Sequence, residues 1–356
     1  MDALTEVYRG RTVLITGHTG FKGSWLALWL NKMGAKVIGY ALDPINENDN
    51  FNLSKIGECI IDIRGDIRDS EKLNSVFKAY KPEIVFHLAA QPLVRYSYEQ
   101  PKYTYEVNIM GTLNILEAIR ATEETKIGII ITSDKCYENK EWVWGYREND
   151  AMGGYDIYSS SKGCCELLAA SYRNSFFNIN NSDTNKYIIT TRAGNVIGGG
   201  DWSSDRIIPD CIASLEKNKP IIVRNPLAVR PWQHVLEPLG GYLLLGSKIL
   251  KEGTKYSGAW NFGPSSDSII SVKEIVEKVI FHWGQGTWKE SDAAFNAVHE
   301  ARLLSLDVSK AKSLLNWHPT WDVDTAVTKT VEWYKNYKTQ NVYNLCLQQI
   351  DEYCAI

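Results

Sequence analysis

The sequence predicts a doubly wound α/β fold, with a parallel β-sheet covered by helices on both faces and a smaller lobe beside it. In its first half, short segments rich in Val and Ile alternate with longer helical patterns. The first of these segments runs directly into a glycine-rich turn at the start of a helix. After about Gly194 the alternation loosens, and prolines and tryptophans become frequent. We therefore expect a sheet domain over residues 1–194 and a smaller α+β lobe over 195–356, with the chain returning to the sheet domain near 236–262.

The individual elements follow from this pattern. Segments that are apolar throughout are typical of parallel strands buried on both faces. The predicted strands are Arg11–Thr16, Lys36–Tyr40, Ile84–Leu88, Ile127–Thr132 and Tyr187–Thr191. The predicted helices are Ser24–Met33, Ser70–Tyr80, Tyr103–Thr122, Ser159–Phe176, Ser309–Asn316 and Thr325–Lys338.

Composition excludes several classes of function. The 356-residue chain has a formal net charge of −3 and no dense block of Lys or Arg, which argues against a nucleic-acid partner. No apolar stretch is long enough to cross a membrane. The polar segment Met1–Gly10 carries no secretion signal, and the seven cysteines are scattered, so we expect a cytoplasmic protein with reduced thiols. The six histidines show no metal-ligand spacing, and we expect no metal.

The glycine-rich turn is the first candidate binding site. Glycines at 17, 20 and 23, with Thr19, Phe21 and Lys22 between them, follow the first strand and open a helix. This arrangement lets a pyrophosphate approach the backbone and the positive end of the helix dipole, although a purely structural turn is the alternative. Asp43, near the end of the second strand, can accept from ribose hydroxyls and repel a 2′-phosphate, which favours NAD over NADP. A simple Asp43-Pro44 turn is again the alternative.

A tyrosine and a lysine four residues apart form the candidate catalytic pair. Tyr158 and Lys162 lie on one helix face, where the ammonium should lower the pKa of the phenol and make it a base. The same spacing occurs three times, at 98/102, 158/162 and 334/338, so spacing alone is not informative. Only Tyr158 follows a buried strand that ends in a polar cluster, Thr132–Lys135.

These motifs together resemble the extended short-chain dehydrogenase/reductase family, and within it the nucleotide-sugar 4,6-dehydratases, over nearly the whole chain. The resemblance is carried by the glycine turn, His87–Gln91, Asn108, Ser133-Asp134, Tyr158 and Lys162. It implies a Rossmann fold, a catalytic role for Ser133, and cofactor contacts from Asp66, Ile67, Leu88, Ala89 and Ala90. It implies substrate contacts from Gln91, Asn195, Arg230 and Arg302. Two further arginines, Arg206 and Arg224, could bind substrate phosphates or form surface ion pairs.

The pair Asp134-Lys135 departs from the pattern of most relatives, which have Glu at the second position. In the family this pair supplies the acid and the base that remove water across C5–C6 of the sugar. An ordinary lysine is protonated at neutral pH and cannot accept a proton. In this respect the sequence resembles the branch that acts on CDP-glucose. The segments that carry this resemblance are Gly17–Gly23, Thr132–Glu138, Trp142–Arg147 and Arg230–Val235. The C5 base is therefore either Lys135 or another group.

The resemblance implies NAD-dependent dehydration of a nucleotide sugar for deoxysugar synthesis, such as the 3,6-dideoxyhexoses of O-antigens, with no net accumulation of NADH. A nucleotide-sugar 4-epimerase, a dehydratase for a dTDP- or GDP-sugar, and an NAD sensor without activity are the alternatives. The resemblance also implies a homodimer, in which the helices around 103–122 and 159–176 pack as a bundle, or a tetramer.

Overall fold

The computed structural model describes residues 2–178, 185–291 and 303–356, and its central feature is a seven-stranded parallel sheet. The strands are β1 (Thr12–Thr16), β2 (Lys36–Ala41), β3 (Ile61–Arg64), β4 (Ile84–His87), β5 (Ile127–Ile131), β6 (Tyr187–Arg192), β7 (Val196–Ile197), β8 (Ile221–Val223), β9 (Val229–Pro231), β10 (Gln233–His234), β11 (Gly258–Asn261), β12 (Ile269–Ser271) and β13 (Trp288–Glu290). The helices are α1 (Asp2–Tyr8), α2 (Phe21–Lys32), α3 (Asn50–Ser54), α4 (Ser70–Tyr80), α5 (Val94–Glu99), α6 (Pro101–Tyr105), α7 (Gly111–Ala121), α8 (Ile157–Ser175), α9 (Ile207–Glu216), α10 (Leu236–Glu252), α11 (Val272–Trp283), α12 (Val323–Asn336) and α13 (Val342–Cys354).

The strand order fixes where a ligand can bind. The sheet runs β3-β2-β1-β4-β5-β6-β11, and every neighbouring pair is parallel. The chain moves outward in one direction from β1 to β3 and in the other from β4 onward, so the connections diverge between β1 and β4. A crevice opens at that point, outside the carboxyl ends of the strands. The order confirms the predicted doubly wound fold.

Side chains of each central strand alternate between two apolar layers. Val13 and Ile15 of β1 point into the layer that contains Trp25 of α2, whereas Leu14 points into the layer that contains Ile115 of α7. This alternation follows from the pleat of a strand, and it requires both faces of β1 to be apolar. The helices on the two faces therefore hold the carboxyl ends of the strands, and the site above them, in fixed positions.

Several elements differ from the sequence prediction in extent. Helix α2 begins at Phe21 rather than Ser24, because Gly20 is extended and serves as its N-cap. The predicted helix over 103–122 is present as α6 and α7, joined by one π turn over Glu106–Met110. Strand β3 is an edge strand with charged, partly exposed residues, and its pattern is therefore not that of a buried strand.

The smaller lobe consists of α9, α11, α12 and three short strand pairs, β7 with β10, β9 with β12, and β8 with β13. Between these elements, α10 and β11 return to the sheet, where β11 pairs with β6. The last helix, α13, packs against α2 of the sheet domain, with the rings of Tyr353 and Trp29 5.7 Å apart. Buried Glu237 strengthens this packing, because it accepts from the Trp321 backbone N–H at 2.6 Å and from the Tyr353 hydroxyl at 3.1 Å.

In the part of the chain that the structure describes, no helix combines the length and apolar character needed to cross a bilayer.

Candidate active site

A cavity of about 900 Å³ lies at the carboxyl edge of the sheet, between the ends of the strands and the smaller lobe. Its walls bring together most of the residues that the sequence singles out as candidates. The candidates that line it are Gly17, Thr19, Gly20, Phe21, Lys22, Gly23, Asp43, Asp66, Ile67, Leu88, Ala89, Ala90, Ser133, Asp134, Lys135, Tyr158, Lys162, Asn195, Arg206, Arg224 and Arg230. Arg302 lies outside the described residues.

The glycine turn packs too tightly for side chains at two of its positions. Gly17 has a φ of +76°, and a Cβ there would lie 2.7 Å from the Ala89 backbone nitrogen. A Cβ on Gly23 would lie 2.1 Å from the Gly17 carbonyl oxygen. The first turn of α2 has no side-chain cap, so its backbone N–H groups remain available to a ligand. The turn is therefore a preformed anion site on the cavity wall.

The second residue of the turn, His18, faces away from the cavity. Its ring is fully buried, donates from Nε2 to Asp62 Oδ1 at 2.8 Å, and packs edge-on against Phe51 at 5.3 Å. Burial lowers the pKa of His18 below its ordinary value, despite the opposing effect of Asp62. His18 thus packs the turn against β3 and is neutral at physiological pH.

Two carboxylates lie at the end of the cavity formed by β2 and β3. Asp43 is mostly exposed and has Arg64 Nε 3.4 Å away. Asp66 accepts from the Arg68 guanidinium at 2.7 Å, and this hydrogen bond lowers the pKa of Asp66. Asp43 is therefore an available acceptor at the strand end, where the sequence predicts a ribose contact.

The loop after β4 contributes Leu88, Ala89 and Ala90 to the wall, but Gln91 is turned away from it. The Gln91 side-chain amide donates to Thr104 Oγ1 at 2.9 Å and to the Leu93 carbonyl. Its backbone N–H donates to Asn108 Oδ1 at 2.8 Å. The expected substrate contact from Gln91 therefore has to be corrected, since its amide is used to fasten the loop.

Tyr158 and Lys162 both lie near the start of α8 and are buried. Asp156 caps this helix by accepting from the Ser159 backbone N–H at 2.9 Å. Lys162 Nζ donates to the Ile131 carbonyl at 3.4 Å, at the end of β5. The helix and the strand end therefore fix both side chains on the cavity wall.

The expected lowering of the Tyr158 pKa by Lys162 is not what the structure shows. Burial raises the pKa of Tyr158 to about 12, and the opposing effects come from the Ser133 hydroxyl and the Arg206 guanidinium. Burial also lowers the pKa of Lys162 itself. The phenol is thus surrounded by donors that favour its anion, but removal from water has the larger effect.

The turn after β5 carries the acid–base candidates. Ser133 Oγ donates to Asp134 Oδ1 at 2.9 Å, and Lys135 Nζ lies 3.6 Å from the same oxygen. Asp134 is fully buried, and its Oδ2 has no hydrogen-bond partner among the described residues. A Cβ on Gly194 would lie 1.8 Å from that oxygen. Glycine at 194 is therefore needed for the carboxyl group to occupy this position, a requirement that the sequence alone does not reveal.

A second lysine, Lys22, interacts electrostatically with Asp134. Lys22 lies at the start of α2 and lines the cavity. Burial and the Arg206 guanidinium lower the pKa of Lys22 to about 7, against the effect of Asp134. A fraction of Lys22 is therefore neutral at physiological pH.

Arginines line the substrate end of the cavity. Arg206 bonds to Asp201 at 2.7 Å, and Arg224 bonds to Asp205 at 2.8 Å. Arg95 of α5, for which no sequence motif predicts a role, approaches the same Asp205 at 3.7 Å and also lines the cavity. Such a set of guanidinium groups can bind phosphates of a substrate.

No group of three or more His, Cys, Asp or Glu side chains within the described ranges is arranged to hold a metal ion.

Comparison with known proteins places this geometry among nucleotide-sugar enzymes. Residues 14–330 match the family described as GDP-mannose 4,6 dehydratase. The chain is 51% identical to the CDP-glucose 4,6-dehydratase of Salmonella typhimurium over 329 residues, which is 92% of this chain and 91% of that protein. It is 25% identical to a UDP-glucuronate 4-epimerase of Thermodesulfobacterium geofontis, over 90% of this chain and 95% of that protein.

Solved structures show the same fold at lower identity. A dTDP-glucose 4,6-dehydratase from Bacillus anthracis, in complex with NAD, is 21% identical with a TM-score of 0.74, over 95% of this chain and 100% of that one. A UDP-glucose 4-epimerase from Thermotoga maritima, with UDP-glucose, is also 21% identical with a TM-score of 0.74, over 91% of this chain and 98% of that one. Dehydratases and epimerases therefore share this architecture.

Proposed function

The chain belongs to the GDP-mannose 4,6-dehydratase family, and we propose that it is an NAD-dependent dehydratase that converts CDP-glucose to CDP-4-keto-6-deoxyglucose and water. The observation that supports this most strongly is the presence in one cavity of a tyrosine–lysine pair and a separate acid–base pair, Asp134 and Lys135. The 51% identity to a CDP-glucose 4,6-dehydratase supports the choice of substrate.

The glycine turn and Asp43, which lies just after β2, are suited to binding NAD. The missing side chains at Gly17 and Gly23 leave space that a Cβ would fill, and the uncapped start of α2 can bind a pyrophosphate. Asp43 is exposed at the strand end, where it can accept from the adenosine ribose and repel a 2′-phosphate. Gly17–Gly23 and Asp43 would hold NAD, which would supply a hydride acceptor for C4 of the sugar and a hydride donor for C6.

We assign proton transfer at the C4 hydroxyl to Tyr158. Tyr158 lines the cavity, and a phenolate there would be stabilised by the Ser133 hydroxyl and the positive charge of Arg206. Removal of the hydroxyl proton is what allows C4 to become a ketone. The ketone in turn makes the C5–H acidic, which is the condition for the next step.

Asp134 and Lys135 then serve the loss of water. Asp134 protonates the departing C6 hydroxyl, and the C5 proton passes to Lys135, so that one water leaves and a C5–C6 double bond forms. Lys135 can accept the C5 proton only as the neutral amine, and Asp134 can donate only as the acid. Transfer of a proton from Lys135 Nζ to Asp134 Oδ1, which lie 3.6 Å apart, would supply both forms. After C5 is reprotonated, the pair has given one proton more than it has received. Tyr158 holds the balancing proton, taken from the C4 hydroxyl, and its return to the pair through solvent restores the starting protonation states.

A panel of nucleotide sugars tests this proposal. The purified protein is incubated with NAD and with CDP-, dTDP- or UDP-glucose or GDP-mannose, and products are identified by NMR. We expect a 4-keto-6-deoxy product from CDP-glucose. A 4-epimer that keeps its C6 hydroxyl would instead support the epimerase alternative, in which Asp134 and Lys135 have no use. Unchanged turnover by Tyr158→Phe would exclude the assigned catalytic role.

We also propose that the chain forms a homodimer, through a bundle of α7 and α8 from both copies, or a tetramer. Exposed apolar side chains near these helices support it, with Met110 48%, Leu167 61% and Phe176 51% exposed. Light scattering of the wild type and of Leu167→Glu tests this interface, and we expect the substitution to yield monomers. A monomeric wild type at micromolar concentration would contradict the proposal.

We place the enzyme in the cytoplasm, in a route to 3,6-dideoxyhexoses or related deoxysugars of O-antigens. All seven cysteines are free thiols, which fits a reducing compartment.

A further inference from the structure

A buried ion pair lies directly behind the turn that carries Asp134 and Lys135. Glu166 is on α8, one helical turn beyond Lys162, and Arg192 is the last residue of β6. Arg192 Nε donates to Glu166 Oε1 at 2.9 Å, and Nη2 donates to Oε2 at 2.8 Å. The side chains are only 3% and 4% exposed. The geometry is bidentate, which fixes orientation as well as distance.

Further hydrogen bonds to four residues complete this pair. Thr132 donates to Glu166 Oε1 at 2.5 Å, and Thr190 of β6 donates to Oε2 at 2.6 Å. Arg192 Nη1 donates to the Tyr137 hydroxyl at 2.5 Å and to the Glu148 carbonyl at 3.0 Å. Because both carboxylate oxygens carry two donors, the pair is well satisfied inside the protein.

Two of these contacts grip the acid–base turn from both ends. Thr132 immediately precedes Ser133, and Tyr137 immediately follows Cys136. The Thr132 hydroxyl donates to Glu166, and the Tyr137 hydroxyl accepts from Arg192. Tyr137 also donates to Asn261 at 2.8 Å, which ties the far end of the turn to β11. The turn is thus located relative to α8 through side chains that themselves take no part in the reaction.

We propose that the Glu166–Arg192 pair is a positioning device that holds Asp134 and Lys135 in register with Tyr158, and that it serves the loss of water more than the oxidation at C4. This inference rests on the proposed function. Tyr158 and Lys162 belong to α8 itself, so their positions depend less on the contacts to the turn than those of Asp134 and Lys135 do. Asp134 and Lys135 depend on those contacts, and a shift of about 1 Å in such groups can slow a reaction about 100-fold.

Two threonine variants separate positioning from folding. Removing Glu166 or Arg192 leaves an uncompensated buried charge, which tests folding rather than position. Thr132→Val and Thr190→Val each delete one hydroxyl from the same carboxylate, but only Thr132 is joined to the turn. Thr190 is therefore the matched control, and thermal unfolding should show that both variants lose similar stability.

The steps are resolved by quenching turnover with sodium borodeuteride. The reagent reduces any 4-keto sugar that is present and places deuterium at its C4. Mass spectrometry then shows whether the labelled sugar still carries its C6 oxygen. For Thr132→Val we expect kcat to fall about 10-fold and the share of label in sugars that retain the C6 oxygen to rise. For Thr190→Val we expect both quantities to stay within about two-fold of the wild type.

Two results would overturn the positioning role: equal loss of kcat in both variants, or a slow Thr132→Val enzyme with no increase in label on sugars that retain the C6 oxygen. Failure of the proposed function is seen separately, because the wild type would then give no labelled 6-deoxy sugar from CDP-glucose.

Discussion

Replacing Gly17 with alanine should abolish tight cofactor binding while leaving the protein folded. Gly17 has a φ of +76°, and Gly10 has a φ of +74°. Alanine at either position adopts left-handed backbone at a cost of about 1–2 kcal/mol. At Gly10 the new Cβ meets nothing within 4 Å, whereas at Gly17 it lies 2.7 Å from the Ala89 nitrogen and 2.9 Å from the Ala89 Cα. Gly10→Ala therefore measures the backbone strain alone.

The difference between the two variants should appear in binding. At Gly17 the turn must move away from the backbone of Ala89, which displaces the first N–H groups of α2. Loss of one hydrogen bond to a charged group costs about 1.5–3 kcal/mol, or roughly 10- to 150-fold in the dissociation constant. Calorimetric titration with NAD should show this weakening for Gly17→Ala and wild-type affinity for Gly10→Ala. Both should melt within about 4 °C of the wild type. If Gly17→Ala binds NAD as tightly as Gly10→Ala, the turn does not hold the pyrophosphate.

Other substitutions and pH test the acid–base turn and the helix packing. Gly194→Ala places a Cβ 1.8 Å from Asp134 Oδ2, so we expect kcat to fall about 100-fold with NAD affinity unchanged; equal loss of both would contradict a local effect on Asp134. In D2O, Lys135→Gln should slow deuterium incorporation at C5 while oxidation at C4 persists. Tyr158→Phe should lose both reactions. Rapid exchange at C5 in Lys135→Gln would point to another base. Burial raises the pKa of Glu237 to about 7. Since this exceeds the value of about 4.3 for an unfolded glutamate, the stability that Glu237 contributes is greatest below that value and is lost as pH rises through 7. The melting temperature should therefore decline between pH 5 and 8, and Glu237→Gln should flatten that decline; an identical slope in the variant would contradict the assignment.

The parts of the fold and site that the sequence predicts are those with a local cause. Alternation of apolar strands and helices depends on residues close in the chain, and it gives the sheet and its helices correctly. The glycine turn is also local, because its three glycines and the helix that follows occupy one short segment. Strand β3 does not follow from this pattern, since an edge strand such as Ile61–Arg64 does not have to be apolar on both faces.

The features that cannot be predicted from the sequence depend on contacts between segments that are distant in the chain. Gly194 matters because β6 ends beside Asp134, 60 positions earlier in the numbering, and Arg95 matters because it lies 3.7 Å from Asp205, which is distant in the sequence. Gln91 belongs to a motif of the family, yet its amide is used by Thr104. The pKa of Tyr158 depends on burial, which the spacing to Lys162 does not reveal. Each of these facts requires the folded chain.

We propose that one cavity oxidises C4 and removes the C6 hydroxyl from the same sugar. CDP-glucose that carries deuterium at C4, followed by NMR of the product, shows whether both events occur in one active site. We expect a 4-keto sugar whose C6 methyl group holds that deuterium, because hydride leaves C4 and returns to C6 without exchange. Deuterium found again at C4 of a sugar that keeps its C6 hydroxyl would refute this proposal.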